Sequence, residues 1–313
     1  MNRRPLGGTD LRVCEIALGT MGLATEMYGP VEPTRLERVV EHALDLGVGT
    51  FDVAPLWGGG RAEEVVGRAV AKRGEAAQIV TRAGAVLEGG RLVHRFEPDA
   101  LVADVEASLR RLGVACVDVV LLHDPPAHVL GREEVPAAMD GLVQAGKARC
   151  WGVSTATILG ARTALAVGAR VLCIPYSLLQ PSPLTEIGDE VQRAGAGVLV
   201  RSPLCHGLLA GRFNEARQFD PSDHRRDRWS QLTLGTRVRQ VDRLRFLVHD
   251  RVQSMAEAAV RFVLANALVA CCIVGARTSA QLTELVRAAD GPPYLPDADM
   301  RRLSDVLREI GIR

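Results

Sequence analysis

Short apolar runs alternate with longer stretches of helical periodicity along the whole chain. The runs cover residues 14–18, 50–53, 78–81, 117–122, 148–153, 171–175, 197–200 and 270–274. Each is too short for a helix. Several are nearly continuous in apolar residues, the pattern of a strand buried on both faces. Between the runs, apolar residues recur three and four positions apart. Examples are Leu36, Val39, Val40, Ala43 and Leu44, then Val65, Val66, Ala69 and Val70, then Leu101, Val105, Leu109 and Leu112, then Val135, Met139, Leu142 and Val143. The same spacing predicts helices at 158–167, 187–194, 255–266, 281–288 and 297–310. Gly47 is placed to end the first helix as a C-cap, and a loop at Gly89-Gly90 leads to the helix that starts after Pro98. A polar segment, 214–231, interrupts the rhythm.

Eight strand–helix units imply a parallel sheet covered by helices on both faces. Eight units in 313 residues match a (β/α)8 TIM barrel, and the absence of a Pro/Gly/Ser linker predicts a single domain over residues 1–313. An open doubly wound sheet has about six strands per domain. Its dinucleotide fingerprint also fails here: a GxGxxG beginning at Gly58 needs a third glycine at position 63, which is Glu63.

Composition narrows the function. The net charge is +1, which argues against nucleic-acid partners and anionic membranes. No apolar run reaches the roughly 18 residues of a membrane span. The opening Met1-Asn2-Arg3-Arg4-Pro5 is not followed by an apolar signal core, so a cytoplasmic location is expected. The cysteine count is odd, at seven, and the spacing is irregular, which reads as buried thiols in a reducing compartment. Cys271 and Cys272 are adjacent in a strand and point to opposite faces, so they cannot share a metal. There is no CxxC or HExxH, and no metal site is expected. A small-molecule substrate is the partner class that remains, and oligomeric state is open.

The chemistry falls at strand ends. Phe51-Asp52-Val53-Ala54-Pro55-Leu56-Trp57-Gly58-Gly59-Gly60 places an acid at the carboxyl end of the second run, facing a glycine-rich loop, where barrel enzymes carry their active sites. Thr81-Arg82, His123-Asp124, Ser154-Thr155, Arg201-Ser202-Pro203-Leu204 and Gly275-Ala276-Arg277 end or follow other runs. Thr278-Ser279-Ala280-Gln281 reads as a capping box, with Thr278 at the N-cap. A helix N-terminus after the eighth strand is a common phosphate site in this fold. The run Asp223-His224-Arg225-Arg226-Asp227-Arg228-Trp229 mixes charges of both signs, which reads as a solvated loop or lid.

These motifs, taken together, resemble the aldo-keto reductase superfamily. The resemblance rests on residues 4–13, Leu18-Gly19-Thr20-Met21, Gly49-Thr50-Phe51-Asp52, Ser108-Leu109-Arg110-Arg111-Leu112-Gly113 and Leu121-Leu122-His123. It continues with Ser202-Pro203-Leu204, Gly207-Leu208-Leu209-Ala210-Gly211, Asp223-His224-Arg225 and 275–282. It implies a (β/α)8 barrel, carbonyl reduction and a nicotinamide cofactor, with NADP favoured by Arg277 and NAD also possible. Carried over by motif, the family's catalytic aspartate is Asp52 and its histidine is His123. The tyrosine position is Trp57 and the lysine position is Arg82. An indole N–H gives up no proton near neutrality, so His123 or Tyr28 is the candidate replacement. The resemblance assigns cofactor contacts to Thr20, Ser154, Arg201, Ser202, Leu204, Gly275, Arg277, Gln281 and Glu284. Around the nicotinamide the chain departs from the family pattern at Thr155, Cys173, Arg201 and Leu285. Two functions are therefore expected to compete: an NADP-dependent oxidoreductase with an atypical site, and a non-redox lyase, isomerase or altered dinucleotide-binding barrel.

Overall fold

Eight parallel strands close into a barrel: β1 (Ile16–Gly19), β2 (Thr50–Asp52), β3 (Gln78–Ala83), β4 (Val117–His123), β5 (Ala148–Ser154), β6 (Val171–Pro175), β7 (Gly197–Arg201) and β8 (Val269–Val274). Each strand pairs with the next, and β8 pairs with β1. The computed structural model describes residues 1–74, 76–89 and 91–312. Around the barrel run α1 (Arg35–Asp45), α2 (Arg61–Arg73), α3 (Pro98–Leu112), α4 (Glu134–Gln144), α5 (Ile158–Ala166), α6 (Ser182–Ala194), α7 (Gln231–Arg243), α8 (Met255–Ala265), α9 (Ser279–Val286) and α10 (Asp297–Glu309). Among the described residues no helix is long and apolar enough to cross a membrane.

The strands are apolar throughout because they feed two cores. Side chains pointing inward form one cluster: Ala17, Val80, Val119, Leu121, Cys150, Val171, Cys173, Leu199, Cys271 and Ile273. Their outward neighbours, such as Phe51, Ile79, Val120 and Cys272, pack under the helices. Cys271 and Cys272 thus enter different cores, as strand alternation requires.

Three features differ from the sequence expectation. The first apolar run is broken at Glu15. Arg12–Cys14 pairs antiparallel with Arg3–Pro5, and only Ile16–Gly19 joins the barrel. That hairpin carries Leu6, Leu11 and Val13 into the inner core and plugs the barrel bottom. Gly89 lies at the turn of a second hairpin, Ala85–Glu88 with Arg91–His94, whereas Gly90 falls outside the described residues. The expected polar interruption is followed by α7, which buries Leu234, Val238 and Val241 at helical spacing.

Two glycine sites set the entry to α2. Gly58, Gly59 and Gly60 are all left-handed, with φ of +66°, +62° and +94°, so the chain turns sharply between Trp57 and the helix. Within the helix, a Cβ on Gly67 would sit 2.2 Å from the carbonyl oxygen of Leu112, so α2 lies backbone-close to the end of α3.

Candidate active site

Strand alternation positions the chemistry. Two residues beyond the inward-facing Val80, Leu121 and Leu199 come Arg82, His123 and Arg201, on the same inner face at the carboxyl ends of β3, β4 and β7. Asp52 ends β2 with Phe51 facing the outer core, and so also points inward. These side chains border a cavity of about 570 Å³. Of the residues expected at the site, Asp52, Trp57, Arg82, His123, Ser154, Arg201, Ser202, Leu204, Gly275, Arg277, Gln281 and Glu284 line it. Thr20 does not. It is fully buried, and its hydroxyl donates to the Asp52 carbonyl at 2.9 Å, so it supports the strand end instead.

At the floor, Arg82 donates through Nη1 to Asp52 Oδ1 at 2.5 Å and to the Val53 carbonyl at 3.1 Å. Its Nη2 reaches Cys173 Sγ at 3.8 Å. The guanidinium lies 4.7 Å from the centre of the Trp57 ring, a buried cation–π contact. Burial raises the Asp52 carboxyl above the ordinary carboxylate range, against the opposing pull of Arg82 and Arg201. The Arg82 guanidinium is raised by Asp52 and does not deprotonate, so the two form an ion pair. Trp57 Nε1 makes no hydrogen bond among the described residues and is free to donate to a ligand.

His123 is pushed down to about 3, first by burial and then by Arg82, Arg201 and His94. It is neutral at every physiological pH. The imidazole can donate or accept a hydrogen bond, but it carries no spare proton. Arg201 Nη2 reaches across the mouth to Asp124 at 3.3 Å.

At the other end of the cavity, the Thr278 hydroxyl accepts from Gln281 N at 3.2 Å and caps α9. The reciprocal bond of the expected capping box is shifted by one residue: Gln281 Oε1 accepts from Arg277 N at 2.8 Å. Glu284 pairs with Arg212 at 3.1 Å. The Arg277 guanidinium is taken up by backbone carbonyls of the loop after β1, at Tyr28, at Gly29 (3.2 Å) and at Pro30 (2.6 Å). Tyr28 lines the same cavity, but its partners are His206, His224 and Arg225 rather than Asp52, Arg82 or His123.

Sequence reasoning missed several lining residues: Met27, His206, Phe213 and Arg217. The signal for His206 was faint. It sits beside the Gly207-Leu208-Leu209 motif and holds a left-handed backbone, φ +57°, which the sequence does not display.

Four buried side-chain nitrogens lack a partner among the described residues: His123 Nδ1, Arg201 Nε, His224 Nε2 and Arg277 Nε. Three belong to the cavity lining, and His224 packs on Tyr28 and His206 just behind it. Polar nitrogens left unpaired on three cavity-lining residues fit a site that takes a polar ligand. With the capped helix and the surplus of arginines, the residues fit a phosphorylated dinucleotide.

Comparison with known proteins agrees with the geometry. The family model described as "Aldo/keto reductase family" matches residues 15–308. The aldo-keto reductase YhdN of Bacillus subtilis is 28% identical over 91% of this chain and 88% of its own. The aldo-keto reductase yakc [NADP(+)] of Schizosaccharomyces pombe is 30% identical over 67% of this chain and 64% of its own. Among solved structures, the glycerol dehydrogenase of Gluconobacter oxydans superimposes with a TM-score of 0.87 at 27% identity, covering 99% of this chain and 96% of that one. A holo aldo-keto reductase of Bacillus halodurans gives a TM-score of 0.82 at 25% identity, with 98% and 96% covered. With eight strands closed around the cavity and a family match spanning all of them, the chain belongs to the aldo/keto reductase family.

Proposed function

We propose that the protein is an NADP-dependent oxidoreductase acting on a small carbonyl or alcohol compound through an atypical active site. The observation that carries this reading is the cluster of unpaired buried nitrogens around one cavity, joined to the family assignment. The fission-yeast relative named with NADP(+) supports the choice of cofactor. When bound, the nicotinamide would supply or accept the hydride. Ser202, Leu204, Gly275, Gln281 and Glu284 would hold the dinucleotide along β7 and β8, with Ser154 and Arg201 towards the nicotinamide.

The protein's own contribution is hydrogen bonding and fixed charge. Trp57 Nε1 and a neutral His123 each offer an N–H to a substrate oxygen. Arg82, held by Asp52 and stacked on Trp57, adds a fixed positive charge beneath it. Preorganised donors and cations stabilise charge growing on an oxygen. A neutral imidazole serves as such a donor in other barrel enzymes. On this reading Trp57 and His123 stabilise the alkoxide as hydrogen-bond donors, and a solvent water protonates it and leaves as hydroxide.

A fluorescence titration with NADPH and NADH tests the reading; a protein that binds neither refutes it. His123→Ala is expected to abolish turnover and to leave NADPH binding intact, and unchanged turnover would remove His123 from the chemistry. One observation favours a second reading: neither Trp57 nor His123 carries a proton that it can release near neutrality. A barrel that binds the dinucleotide without hydride transfer would bind NADPH and oxidise none of it with a carbonyl panel. It would gain activity in the Trp57→Tyr, Arg82→Lys double variant.

A further inference from the structure

The loops after β1 and β7 meet over the cavity through a cluster of rings outside the Asp52–Arg82–His123 floor. His206 Nδ1 lies 3.4 Å from the Tyr28 hydroxyl. The His206 and His224 rings are 5.4 Å apart, Tyr28 and His224 are 4.7 Å apart edge-to-face, and Trp229 closes the far side of His206 at 6.2 Å. The main chains are tied as well, since His224 N donates to the Met27 carbonyl at 2.9 Å and Arg225 Nη1 to the His206 carbonyl at 3.3 Å. Both Tyr28 and His206 line the cavity.

The backbone at His206 is costly. It sits at φ +57° between Cys205 at +46° and Gly207 at +91°, and a β-carbon residue in this region is strained unless its surroundings hold it. The strained turn places His206 in the cavity lining on the loop after strand seven, one of the two loops on which this fold commonly binds phosphate. No hydrogen bond to His206 Nε2 is made among the described residues.

We propose that His206 is a cofactor-phosphate ligand that takes up a proton as the anionic dinucleotide enters, with Tyr28 holding the ring in both states. This rests on the dinucleotide reading above and adds a residue and a proton to it. The groups facing His206 are Arg201 at the end of β7, His224, Arg225 and Arg228 from the segment across the cavity, and the Tyr28 hydroxyl from the loop after β1. The Asp223 carboxylate of the same segment is bound bidentately by Arg225. Burial, Arg228, His224, Arg201 and Arg225 hold the ring neutral, with its pKa pushed down to about 3. Burial is the larger cause and persists, but a pyrophosphate placed among the same groups offsets the arginines and favours the imidazolium. The Tyr28 hydroxyl can donate to a bare Nδ1 and accept from a protonated one, so the contact survives the change.

Proton uptake on binding makes affinity rise as pH falls, approaching about tenfold per pH unit where a full proton is taken up. The test is titration calorimetry with NADPH and with NADH near pH 6.5, in two buffers of different ionisation enthalpy. It is run on the wild type and on His206→Asn, because asparagine does not titrate and tolerates the left-handed backbone. The expected result is net proton uptake by the wild type with both nucleotides, lost in His206→Asn. Uptake retained in His206→Asn overturns the inference. So does uptake seen with NADPH alone, which would come from the 2′-phosphate. Binding without any proton exchange overturns it and leaves the dinucleotide reading standing, whereas a wild type that binds neither nucleotide removes both. Tyr28→Phe, which keeps the imidazole and removes the hydroxyl, is expected to retain uptake with weaker binding, and equal affinity would remove Tyr28 from the pair.

Discussion

Arg82→Met isolates the energetics of the cavity floor. The side chains of Arg82 and Asp52 are 3% and 4% exposed, and their bond is 2.5 Å. Methionine preserves much of the stem length and removes the charge, leaving Asp52 buried without its bonded cation. Asp52 then takes a proton in the folded state. Keeping a carboxyl of ordinary pKa protonated at pH 7 costs about 1.4 kcal/mol per unit over about three units, or about 4 kcal/mol. This agrees with the roughly 3–5 kcal/mol seen when one partner of a buried pair is removed. The sign with pH follows from proton counting. In the variant the folded pKa of Asp52 lies far above the unfolded value, so the folded state binds more protons. Stability is fully present below about pH 4 and is lost as pH rises towards the folded pKa. Where Arg82 keeps Asp52 ionised in the wild type, the deficit therefore grows with pH by at most about 1.4 kcal/mol per unit, or nearly 3 kcal/mol from pH 5 to pH 7. The Asp52→Asn, Arg82→Met double variant buries no charge at this position and recovers most of the loss at pH 7. Urea unfolding followed by circular dichroism at pH 5, 6 and 7 measures all three proteins. A deficit that does not change with pH, or a double variant as unstable as the single one at pH 7, refutes the reasoning.

Two further outcomes follow from the local geometry. Thr278→Ala removes the hydroxyl that caps α9 and is expected to cost about 1 kcal/mol in urea unfolding. It should also weaken NADPH binding, and unchanged affinity in a titration would detach the cap from the phosphate site. Gly67→Ala should destabilise by about 1–3 kcal/mol, because its Cβ would meet backbone atoms of Leu112 that cannot rotate away. That strain exceeds the roughly 1 kcal/mol gained when alanine replaces a helical glycine, so a more stable variant would contradict the packing described between α2 and α3.

The barrel was legible because a buried parallel strand must be apolar on both faces. Eight such runs with helices between them leave few alternatives. Most of the cavity lining was legible for a related reason: a residue at a strand's carboxyl end, two positions beyond an inward apolar side chain, must face the mouth. The break was marked only by the single charge of Glu15 inside an otherwise apolar run, and the partners that stabilise it there, Arg4 and Tyr294, are brought by the fold. Helix α7 was masked by its arginines: Leu234, Val238 and Val241 keep helical spacing, but Arg237, Arg239 and Arg243 crowd the same stretch. The cofactor contact expected of Thr20 is replaced by a bond to the Asp52 carbonyl, a pairing that depends on the register of β1 against β2.

By itself the sequence determined the barrel, the family resemblance and the chemical identities at the mouth. Trp57 cannot surrender its proton in any environment, and Arg82 cannot lose its charge, because these are properties of the side chains. Tertiary structure decided the properties that belong to surroundings. His123 is neutral because burial and arginines brought from β3 and β7 make its charged form costly. Arg277, expected at a cofactor phosphate, is occupied by carbonyls some 250 residues away in sequence. His206 became a candidate ligand only when Tyr28 and His224 were folded against it. Desolvation, field and hydrogen-bond partnership come from residues distant along the chain, and only the closed barrel brings those residues together.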